Sequence, residues 1–367
     1  MPRKIIIDTD PGVDDVLAIL LALASPELEV ALITLVAGNT DVGHTHDNLL
    51  KMYYQLARER EQHPVAKERY PLANRTVVAH VATYFHGRDG LSNISVTHPE
   101  FTPPEGTEYP LELSNKHAYD EMLALLAAEP AGTVTIVALG PLTNLAHAYS
   151  ADKETFCRVG EVVWMGGALD VPGNTSPVAE FNCFADPYAF DILRIAAKAG
   201  EFTFVFAPLD VTTHHTVPFS DLLHEGEGTT PAGVARFGLP DAMEMHDPVA
   251  VWYAIENAPK VVGKGWAVTG REFGIERCGE ITRGMCVVDR RGSGEGDGKK
   301  RTEDEVLLKG DVPLSRKEHA TATHLHDLHA PVTIDDEESE AEGVKEKPKS
   351  LPPWRLLLLS RVFGHTV

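Results

Sequence analysis

The sequence predicts an α/β fold with an open, mostly parallel central sheet and helices on both faces, of the Rossmann-like type. Strand and helix patterns alternate along the chain up to about Asp289, which is typical of such a sheet. Residues 4–7 are an apolar, β-branched run that predicts a buried first strand, and residues 16–23 have strong helix formers at helical spacing. A second strand is expected to close at residues 36–40, and a further strand covers residues 133–138. In open α/β sheets, ligands bind at the carboxyl ends of the strands.

Four aspartates lie between the first predicted strand and the first predicted helix. Asp8 and Asp10 follow the strand directly, and Asp14 and Asp15 begin the helix. Carboxylates packed this closely repel one another, and a hard divalent cation with oxygen ligands relieves the repulsion. Neighbouring helical residues point about 100° apart, so Asp14 and Asp15 are expected to do different work. The alternative is an ordinary acidic helix start favoured by the helix dipole, which explains Asp14 and Asp15 only.

Six further motifs follow the aspartates in order along the chain. They are residues 36–40 (VAGNT), 86–91 (HGRDGL), 139–144 (LGPLTN), 164–167 (WMGG), 173–182 (GNTSPVAEFN) and 245–248 (MHDP). Together with residues 8–15 (DTDPGVDD), this series resembles the inosine-uridine preferring nucleoside hydrolase family. The resemblance extends over residues 1 to about 290, and the fixed order of the motifs makes it specific.

That resemblance implies hydrolysis of the N-glycosidic bond of purine or pyrimidine ribonucleosides, giving ribose and a free base. It implies that Asp10 is the general base and also contacts the metal, and that Asp15, Asp247 and the backbone carbonyl of Leu139 complete the protein ligands. Ca²⁺ is the expected ion, because its 6–8 oxygen ligands tolerate an irregular set. These residues suit the chemistry, since the bond breaks through an oxocarbenium-like sugar that a water positioned by a metal and a carboxylate can attack.

The resemblance also assigns residues to the ribose of the substrate. Expected at the 2′- and 3′-hydroxyls are Asp14, Asn39 and Asn182, and expected on the 5′-hydroxyl side are Asn174 and Glu180, with Met165 lining the floor. Residues 173–182 form a loop rich in Gly, Pro and Ser, and binding residues concentrate on such loops. An ordinary polar surface loop is the alternative for that stretch.

Two histidines are candidates for contact with the base. His246, beside Asp247, is expected to help the base leave, because histidine titrates near neutral pH and can protonate a heterocyclic nitrogen. His86 is expected near the 5′-hydroxyl or the base, where purine-specific relatives tend to carry a tryptophan, and this favours broad base use. A structural role is the alternative for both in a chain with 17 histidines. Phe237, the aromatic residue of the variable segment 224–244, can stack on the base or pack in the core.

The composition favours a cytoplasmic enzyme that acts on neutral small molecules. With 33 Lys+Arg against 54 Asp+Glu the net charge is −21, which disfavours a nucleic-acid partner. No apolar run approaches the roughly 20 residues of a transmembrane helix, so no membrane partner is expected. No signal peptide is expected before the first strand, because a buried strand begins at once. The four cysteines lack Cys-x-x-Cys spacing and are expected to be reduced. We expect a homodimer or homotetramer, because most soluble oligomers are symmetric and the resembling family is oligomeric.

One catalytic domain is expected over residues 1–290, because candidate site residues come from both ends of the first 250 positions. Residues 291–350 are expected to be a low-complexity, acidic and disordered insertion, since they contain a Gly-rich linker and an acidic run at 335–342. A solvated stretch is favoured there over a transition-metal site made by four histidines: His319, His324, His326 and His329. Residues 351–367 are apolar enough to form a C-terminal helix that docks back on the domain.

Two other classes of protein stay open on the sequence alone. Asp8 and Asp10 after a strand also match the nucleophile and acid of a haloacid dehalogenase type phosphatase. Such phosphatases need a late Gly-Asp-x-x-x-Asp pair, and Gly310-Asp311 lacks the second aspartate. A catalytically inactive nucleoside or Ca²⁺ sensor is the third interpretation, and it would require the loss of a site residue, whereas the matched polar residues are all retained.

Overall fold

A computed structural model of the chain describes residues 2–62, 66, 70, 76–79, 91, 94, 98–222, 242–289, 322–327 and 352–363, with backbone only at 76–79, 220 and 322–327. It shows thirteen strands within these residues. In chain order they are β1 (Arg3–Thr9), β2 (Leu28–Leu35), β3 (Thr76–Ala79), β4 (Leu111–Leu113), β5 (Thr135–Ala138), β6 (Glu161–Met165), β7 (Phe204–Ala207), β8 (Thr216–Pro218), β9 (Ala242–Glu244), β10 (Trp266–Gly270), β11 (Phe273–Ile275), β12 (Cys286–Val288) and β13 (Ala322–Asp327).

The helices fall mainly between successive strands. They are α1 (Val13–Leu23), α2 (Val42–Gln62), α3 (Ala118–Ala128), α4 (Thr143–Ala151), α5 (Lys153–Phe156), α6 (Phe181–Ala185), α7 (Pro187–Lys198), α8 (Leu209–Thr212), α9 (Phe219–Leu222), α10 (His246–Glu256) and α11 (Pro353–Leu358). A 3₁₀ turn covers Pro99–Phe101, and a π-helical turn, Leu359–Phe363, continues α11. Among the described residues, no helix is long and apolar enough to cross a bilayer.

Within the described residues the main sheet has nine strands in the order β10-β13-β7-β6-β5-β1-β2-β3-β4. Neighbouring strands run parallel throughout, except for β10, which is antiparallel to β13. Strand β1 lies at the centre between β2 and β5, as expected for its continuous apolar run, because strands of parallel sheets are covered on both faces. The predicted open, mostly parallel sheet is confirmed.

The sheet separates two hydrophobic cores, one on each face. Ile5 and Ile7 of β1 point into a core that also takes in residues of α1, α2 and α10, while Ile6 points into a core with residues of α3, α4 and α7. All three isoleucines are fully buried. Alternation along a strand sends neighbouring side chains to opposite faces, so one apolar run supplies both cores. Helices on both faces follow from this pattern.

Strand β13 lies within residues 291–350, which the sequence predicted to be a disordered insertion. Its backbone pairs in parallel with β7 and antiparallel with β10, and it therefore joins β10 to the sheet. The prediction of a disordered insertion over residues 291–350 stays a prediction, and the backbone pairing of residues 322–327 with two strands is a contact that local composition does not reveal. Of the four histidines in the insertion, His319 and His329 lie outside the described residues.

The C-terminal segment packs against the domain through α11 and the turn that follows it. Trp354 and Leu358 are buried and belong to the same core as α1 and α10. Arg361 donates hydrogen bonds to both carboxylate oxygens of Glu27, at 2.7 Å each, at the turn between α1 and β2. The segment thus supports the helix that follows the aspartate-rich loop.

Candidate active site

The aspartates meet where the carboxyl ends of the central strands converge. Asp8 is paired with Thr34 of β2 on one side and with Ala138 of β5 on the other. Strand β1 ends one residue later, and α1 begins at Val13, so Asp10 lies on the turn and Asp14 and Asp15 lie in the first helical turn. The parallel arrangement therefore brings the loops after β1, β2 and β5 to one edge of the sheet, as the fold class requires.

The carboxylate of Asp15 accepts most of the hydrogen bonds that hold this loop together. Its carboxylate is fully buried and accepts hydrogen bonds from the Thr9 hydroxyl at 2.5 Å and the Gly12 backbone N–H at 3.0 Å. It also accepts from the side-chain amide of Asn39 at 2.9 Å and from the backbone N–H of Asp10 at 3.3 Å. An acidic group at a helix N-terminus satisfies backbone N–H groups that the helix leaves without partners. The same contacts hold Asn39 against the loop.

Asp10 sits in a narrow space between two neighbouring loops. Its Oδ2 accepts a hydrogen bond from the Asn39 backbone N–H at 2.6 Å, while its buried Oδ1 has no hydrogen-bond partner among the described residues. A Cβ atom at Gly38 would lie 2.0 Å from Oδ2, and one at Gly140 would lie 2.5 Å from Oδ1. Only glycine lets both loops approach the carboxylate this closely. Burial and the nearby charge of Asp15 raise the pKa of Asp10 well above its ordinary value.

Asp14, Asp15 and Asp247 form a group that can hold a metal ion, with one carboxylate oxygen of each within 4.8 Å of the others. Asp247 lies in the first turn of α10, which packs against α1. Burial, followed by the charges of Asp14, Asp15 and Asp10, raises the pKa of Asp247 well above its ordinary value, and burial with the charge of Asp15 raises that of Asp14 to about 6. The sequence placed Asp14 with the substrate; the structure places it in the same acidic group as Asp15 and Asp247.

The loop after β5 meets Asn182 from α6. The Asn182 amide donates to the carbonyl oxygen of Leu139 at 2.8 Å and to that of Met165 at 3.0 Å. These two bonds fix the amide orientation and leave the buried Oδ1 of Asn182 with no hydrogen-bond partner among the described residues. A carbonyl oxygen has two lone pairs, so the contact to Asn182 leaves Leu139 one more acceptor position.

The segment before α6 uses its polar side chains to organise its own backbone. Glu180 is the N-cap of α6, and its carboxylate accepts hydrogen bonds from three backbone N–H groups, those of Asn182 at 2.7 Å, Gly167 at 2.8 Å and Cys183 at 3.0 Å. Asn174 is exposed, and its side-chain oxygen accepts from the Phe181 N–H at 2.9 Å. The sequence assigned Glu180 and Asn174 to the substrate and did not anticipate these local contacts.

Asp8, a further buried carboxyl group two residues before Asp10, ties the strand ends together. Its Oδ1 accepts hydrogen bonds from the Thr34 hydroxyl at 2.5 Å and from the Asn144 amide at 2.8 Å. The Asn144 amide also donates to the carbonyl of Leu35 at 3.0 Å, so β1, β2 and the start of α4 share one network. Burial raises the pKa of Asp8 to about 7. No role was expected for Thr34 from the sequence, and Asn144 appeared only as the last residue of a motif.

His246 begins α10 on the other side of the acidic group. Its Nδ1 lies 2.8 Å from the Thr212 hydroxyl, and its Nε2 lies 3.0 Å from a carboxylate oxygen of Glu244. Burial lowers the pKa of His246, but the hydrogen bond with Glu244 and the charge of Asp14 outweigh it and raise the pKa above its ordinary value. Thr212 and Glu244 were not anticipated, since neither belongs to a motif. His86 and Phe237 lie outside the described residues.

An open, mostly parallel sheet with a group of buried carboxylates at its carboxyl edge belongs to the class of α/β folds that can hold a metal ion at that edge. The profile of the inosine-uridine preferring nucleoside hydrolase family matches residues 5–317. The chain belongs to this family and is a nucleoside hydrolase. The resemblance predicted from the motifs is therefore confirmed, and the match gives no support to the phosphatase alternative.

Relatives in sequence and in structure agree with this assignment. The chain is 33% identical over 303 residues to the pyrimidine-specific ribonucleoside hydrolase RihA of Salmonella paratyphi C, covering 79% of this chain and 89% of that protein. The plant nucleoside hydrolase PpNRh1 superposes with a TM-score of 0.65 at 24% identity, covering 99% of both chains. A purine-preferring ribonucleoside hydrolase from Gardnerella vaginalis superposes with a TM-score of 0.64 at 22% identity, covering 99% of this chain and 98% of that one. The two structural likenesses show the shared fold.

Proposed function

We propose that this nucleoside hydrolase cleaves the N-glycosidic bond of both purine and pyrimidine ribonucleosides in a Ca²⁺-dependent reaction, and that Asp10 activates the attacking water. The proposal depends mainly on the burial and the free acceptor oxygen of the Asp10 carboxylate. It is 1% exposed, one of its oxygens has no hydrogen-bond partner among the described residues, and it lies beside the acidic group. A buried acceptor of this kind is suited to take a proton from a water molecule.

The residues present fit a divalent cation. Asp14, Asp15 and Asp247 offer converging carboxylate oxygens, Asp10 adds a buried one, and the carbonyl of Leu139 lies on the neighbouring loop. Burial, and after it repulsion from the neighbouring carboxylates, raises the pKa values of Asp10 and Asp247, and a cation removes that repulsion. This set of hard oxygen ligands is of the irregular kind that Ca²⁺ accepts. When bound, Ca²⁺ lowers the pKa of a coordinated water and offsets the negative charge of the carboxylates.

Different protein groups then contact the attacking water, the sugar and the base. Asp10 Oδ1 takes one proton from the water as its oxygen bonds to the anomeric carbon, whose bond to the base breaks with both electrons leaving on the base. The Oδ1 of Asn182 can accept a hydrogen bond from a ribose hydroxyl, because its amide group is already committed to two backbone carbonyls. Asp14 and Asn39 are proposed at the 2′- and 3′-hydroxyls. Proposed on the 5′-hydroxyl side are Asn174, Glu180 and Met165.

His246 is proposed as the group that protonates the leaving base. It begins the helix that carries Asp247, and it is close enough to Asp14 for that charge to raise its pKa. A raised pKa keeps a proton available on the ring at neutral pH. His86 remains a proposed contact to the 5′-hydroxyl or the base. The pyrimidine specificity named for RihA supports activity on uridine, and the family name supports activity on inosine and uridine.

We also propose a cytoplasmic location and a homodimer or homotetramer. Free thiols support the first, since Cys183 and Cys286 lie with their sulfur atoms 3.9 Å apart and are not bonded to each other. The symmetry of most soluble oligomers supports the second, and light scattering on the purified chain measures it.

The proposal is tested by incubating the purified protein with inosine, uridine, adenosine and cytidine and identifying the products. Ribose and the matching free base in equal amounts from at least one purine and one pyrimidine nucleoside are expected. In water enriched in ¹⁸O, the label should appear at the anomeric carbon of ribose. Release from pyrimidine nucleosides alone would overturn the broad specificity, and label absent from ribose would overturn direct attack by water.

A further inference from the structure

Helix α7 has an apolar surface on the side that faces away from the core. Its inner side packs against the sheet through Phe190 and Leu193, which are both buried. Of the residues of α7, those exposed are Tyr188, Ile192 and Ile195, which are 49%, 41% and 51% exposed. Spacings of four and three positions place them in one row, which we call the α7 stripe. A helix that is apolar on every side is typical of one that is covered on every side.

The charged residues of α7 lie along one side of the stripe and have partners. The carboxylate of Asp191 is buried, with Oδ1 at 2.5 Å from Arg194 and Oδ2 at 3.4 Å from Arg277, which lies between β11 and β12. Lys198 lies 3.5 Å from a carboxylate oxygen of Glu272. The two carboxylates on this side of the stripe therefore both have basic partners, and the stripe itself carries no charge.

Charge favours a second copy of this chain as the partner of the stripe. A net charge of −21 makes two copies repel one another. The repulsion is smallest where the facing surfaces are uncharged or have paired charges, as the α7 stripe and its edge do. The chain that follows β12 is a poor cover for the stripe, because residues 290–305 contain no large apolar side chain.

The size of the stripe suits the centre of an interface between two such copies. Side chains of this size present on the order of 200 Å² each when fully exposed, so three half-exposed ones offer roughly 300 Å² per copy. A standard interface buries about 800 Å² per partner and has an apolar centre with a polar rim. The paired charges beside the stripe supply part of such a rim.

We propose that the α7 stripe is the centre of a twofold interface between two copies of this chain; this rests on the proposed homodimer or homotetramer. A twofold interface uses the same surface of both copies. The stripes cover each other fully when the axis passes through their centre, near Ile192, and the two helices run in opposite directions. In that arrangement the two Ile192 side chains meet at the axis, and Tyr188 faces the partner's Ile195.

The first test is the molar mass of the full-length protein, measured by light scattering after gel filtration over a range of protein concentrations. Ile192→Glu places a carboxylate from each copy at the axis and should halve the wild-type mass, from dimer to monomer or from tetramer to dimer. The dissociation constant should rise at least about 10²-fold, because each interface contains the change twice. Ile192→Leu, which keeps the apolar volume, should keep the mass.

Val261→Glu is the matched control. Val261 is also an exposed apolar residue, at 62%, but it lies in the turn after α10. This variant should keep the wild-type mass. Far-UV circular dichroism checks that each variant is folded, as expected for substitutions at exposed positions. If Ile192→Glu does not fold, Ile195→Lys takes its place in the same comparison.

A charge pair across the axis tests the twofold arrangement. Tyr188→Glu and Ile195→Lys should each weaken association, and the double variant should associate at least about tenfold more tightly than either, since each new carboxylate then faces a new ammonium of the partner. The two positions are seven apart, beyond the three or four over which side chains of one helix pair. The signs also suit the fold, because the guanidinium of Arg277 lies 5.4 Å from the centroid of the Tyr188 ring and the helix dipole favours an acid near its start and a base near its end.

An unchanged mass in Ile192→Glu would overturn the inference, as would a halved mass in Val261→Glu. An unchanged mass together with a melting temperature lowered in Ile192→Glu alone would assign the cover of the stripe to another part of the same chain. A double variant that associates no more tightly than the single variants would overturn the twofold arrangement. A wild-type chain that is monomeric at every concentration would instead refute the proposed oligomer itself, which separates the two failures.

Discussion

Replacing Asp10 by asparagine removes a negative charge and a proton acceptor from the site while keeping the size of the side chain. The asparagine oxygen can still accept the hydrogen bond that the Asn39 N–H gives to Oδ2 at 2.6 Å, so the loop geometry should survive. The oxygen with no partner among the described residues, Oδ1, becomes an NH₂ group that cannot accept a proton. Loss of a general base lowers turnover by typically 10²–10⁴-fold, so we expect kcat to fall at least about 10²-fold.

The same substitution should make the metal-free protein more stable. The raised pKa of Asp10 means that burial and the charge of Asp15 disfavour its ionised form in the folded state. A neutral amide escapes that cost, so the melting temperature in EDTA should rise while activity falls. Ribose release by a reducing-sugar assay and thermal melting by fluorescence measure the two effects on one preparation. Near-normal activity in Asp10→Asn would refute the reasoning.

Asp8→Asn is the control for charge removal alone. Asp8 is also buried, and the two groups that donate to its Oδ1 can donate equally to an asparagine oxygen. Its pKa of about 7 means that the carboxyl is already partly neutral near pH 7. We therefore expect Asp8→Asn to retain activity within about tenfold, far above Asp10→Asn. A loss as large as that of Asp10→Asn would show that activity depends on the charge of either buried aspartate, and it would contradict the assignment of the base to Asp10.

Three further predictions concern packing and pH. Gly38→Ala should abolish ribose release, because the new Cβ would lie 2.0 Å from Asp10 Oδ2, whereas Gly274→Ala, with no atom within 4 Å of its Cβ, should be silent in the same assay. Trp354→Ala should cost about 3–5 kcal/mol in urea unfolding, since this tryptophan is buried between α11 and the core; a cost under about 1 kcal/mol would contradict the docking of α11. Burial raises the pKa of Glu161 from 4.5 to about 7, so its contribution to stability is greatest below pH 4.5 and falls as the pH rises to about 7. Glu161→Gln should remove that slope and raise the free energy of unfolding at pH 8 by up to about 3 kcal/mol, measured by urea unfolding at pH 5 and 8.

The sheet could be predicted from the sequence because a continuous apolar run marks β1 as a central strand. Asp10 and Asp247, which 237 positions separate, were expected together because the resemblance of the motifs to the family implies both as metal ligands. The structure brings them close enough for the charge of Asp10 to raise the pKa of Asp247. Their roles as base and metal ligand stay predictions.

The contacts that organise the site could not be predicted in the same way. Glu180 was assigned to the substrate, but its carboxylate caps α6 through the backbone N–H groups of Asn182 and Cys183 and also accepts from the Gly167 N–H, and only three-dimensional placement reveals these contacts. Thr212 and Glu244 belong to no motif, and only the fold brings them to 2.8 Å and 3.0 Å from the ring nitrogens of His246. The backbone pairing of β13 with β7 and β10 joins residues far apart in the sequence, which composition does not show.

The central claim is that a cation held by these carboxylates is required for ribose release by Asp10. The most direct measurement is ribose release from uridine and inosine by wild-type protein before EDTA treatment, after it, and after addition of Ca²⁺, with Asp10→Asn assayed alongside. We predict that chelation lowers the wild-type rate by about tenfold or more, that Ca²⁺ restores it, and that the variant responds to neither. Full activity in EDTA would contradict the account.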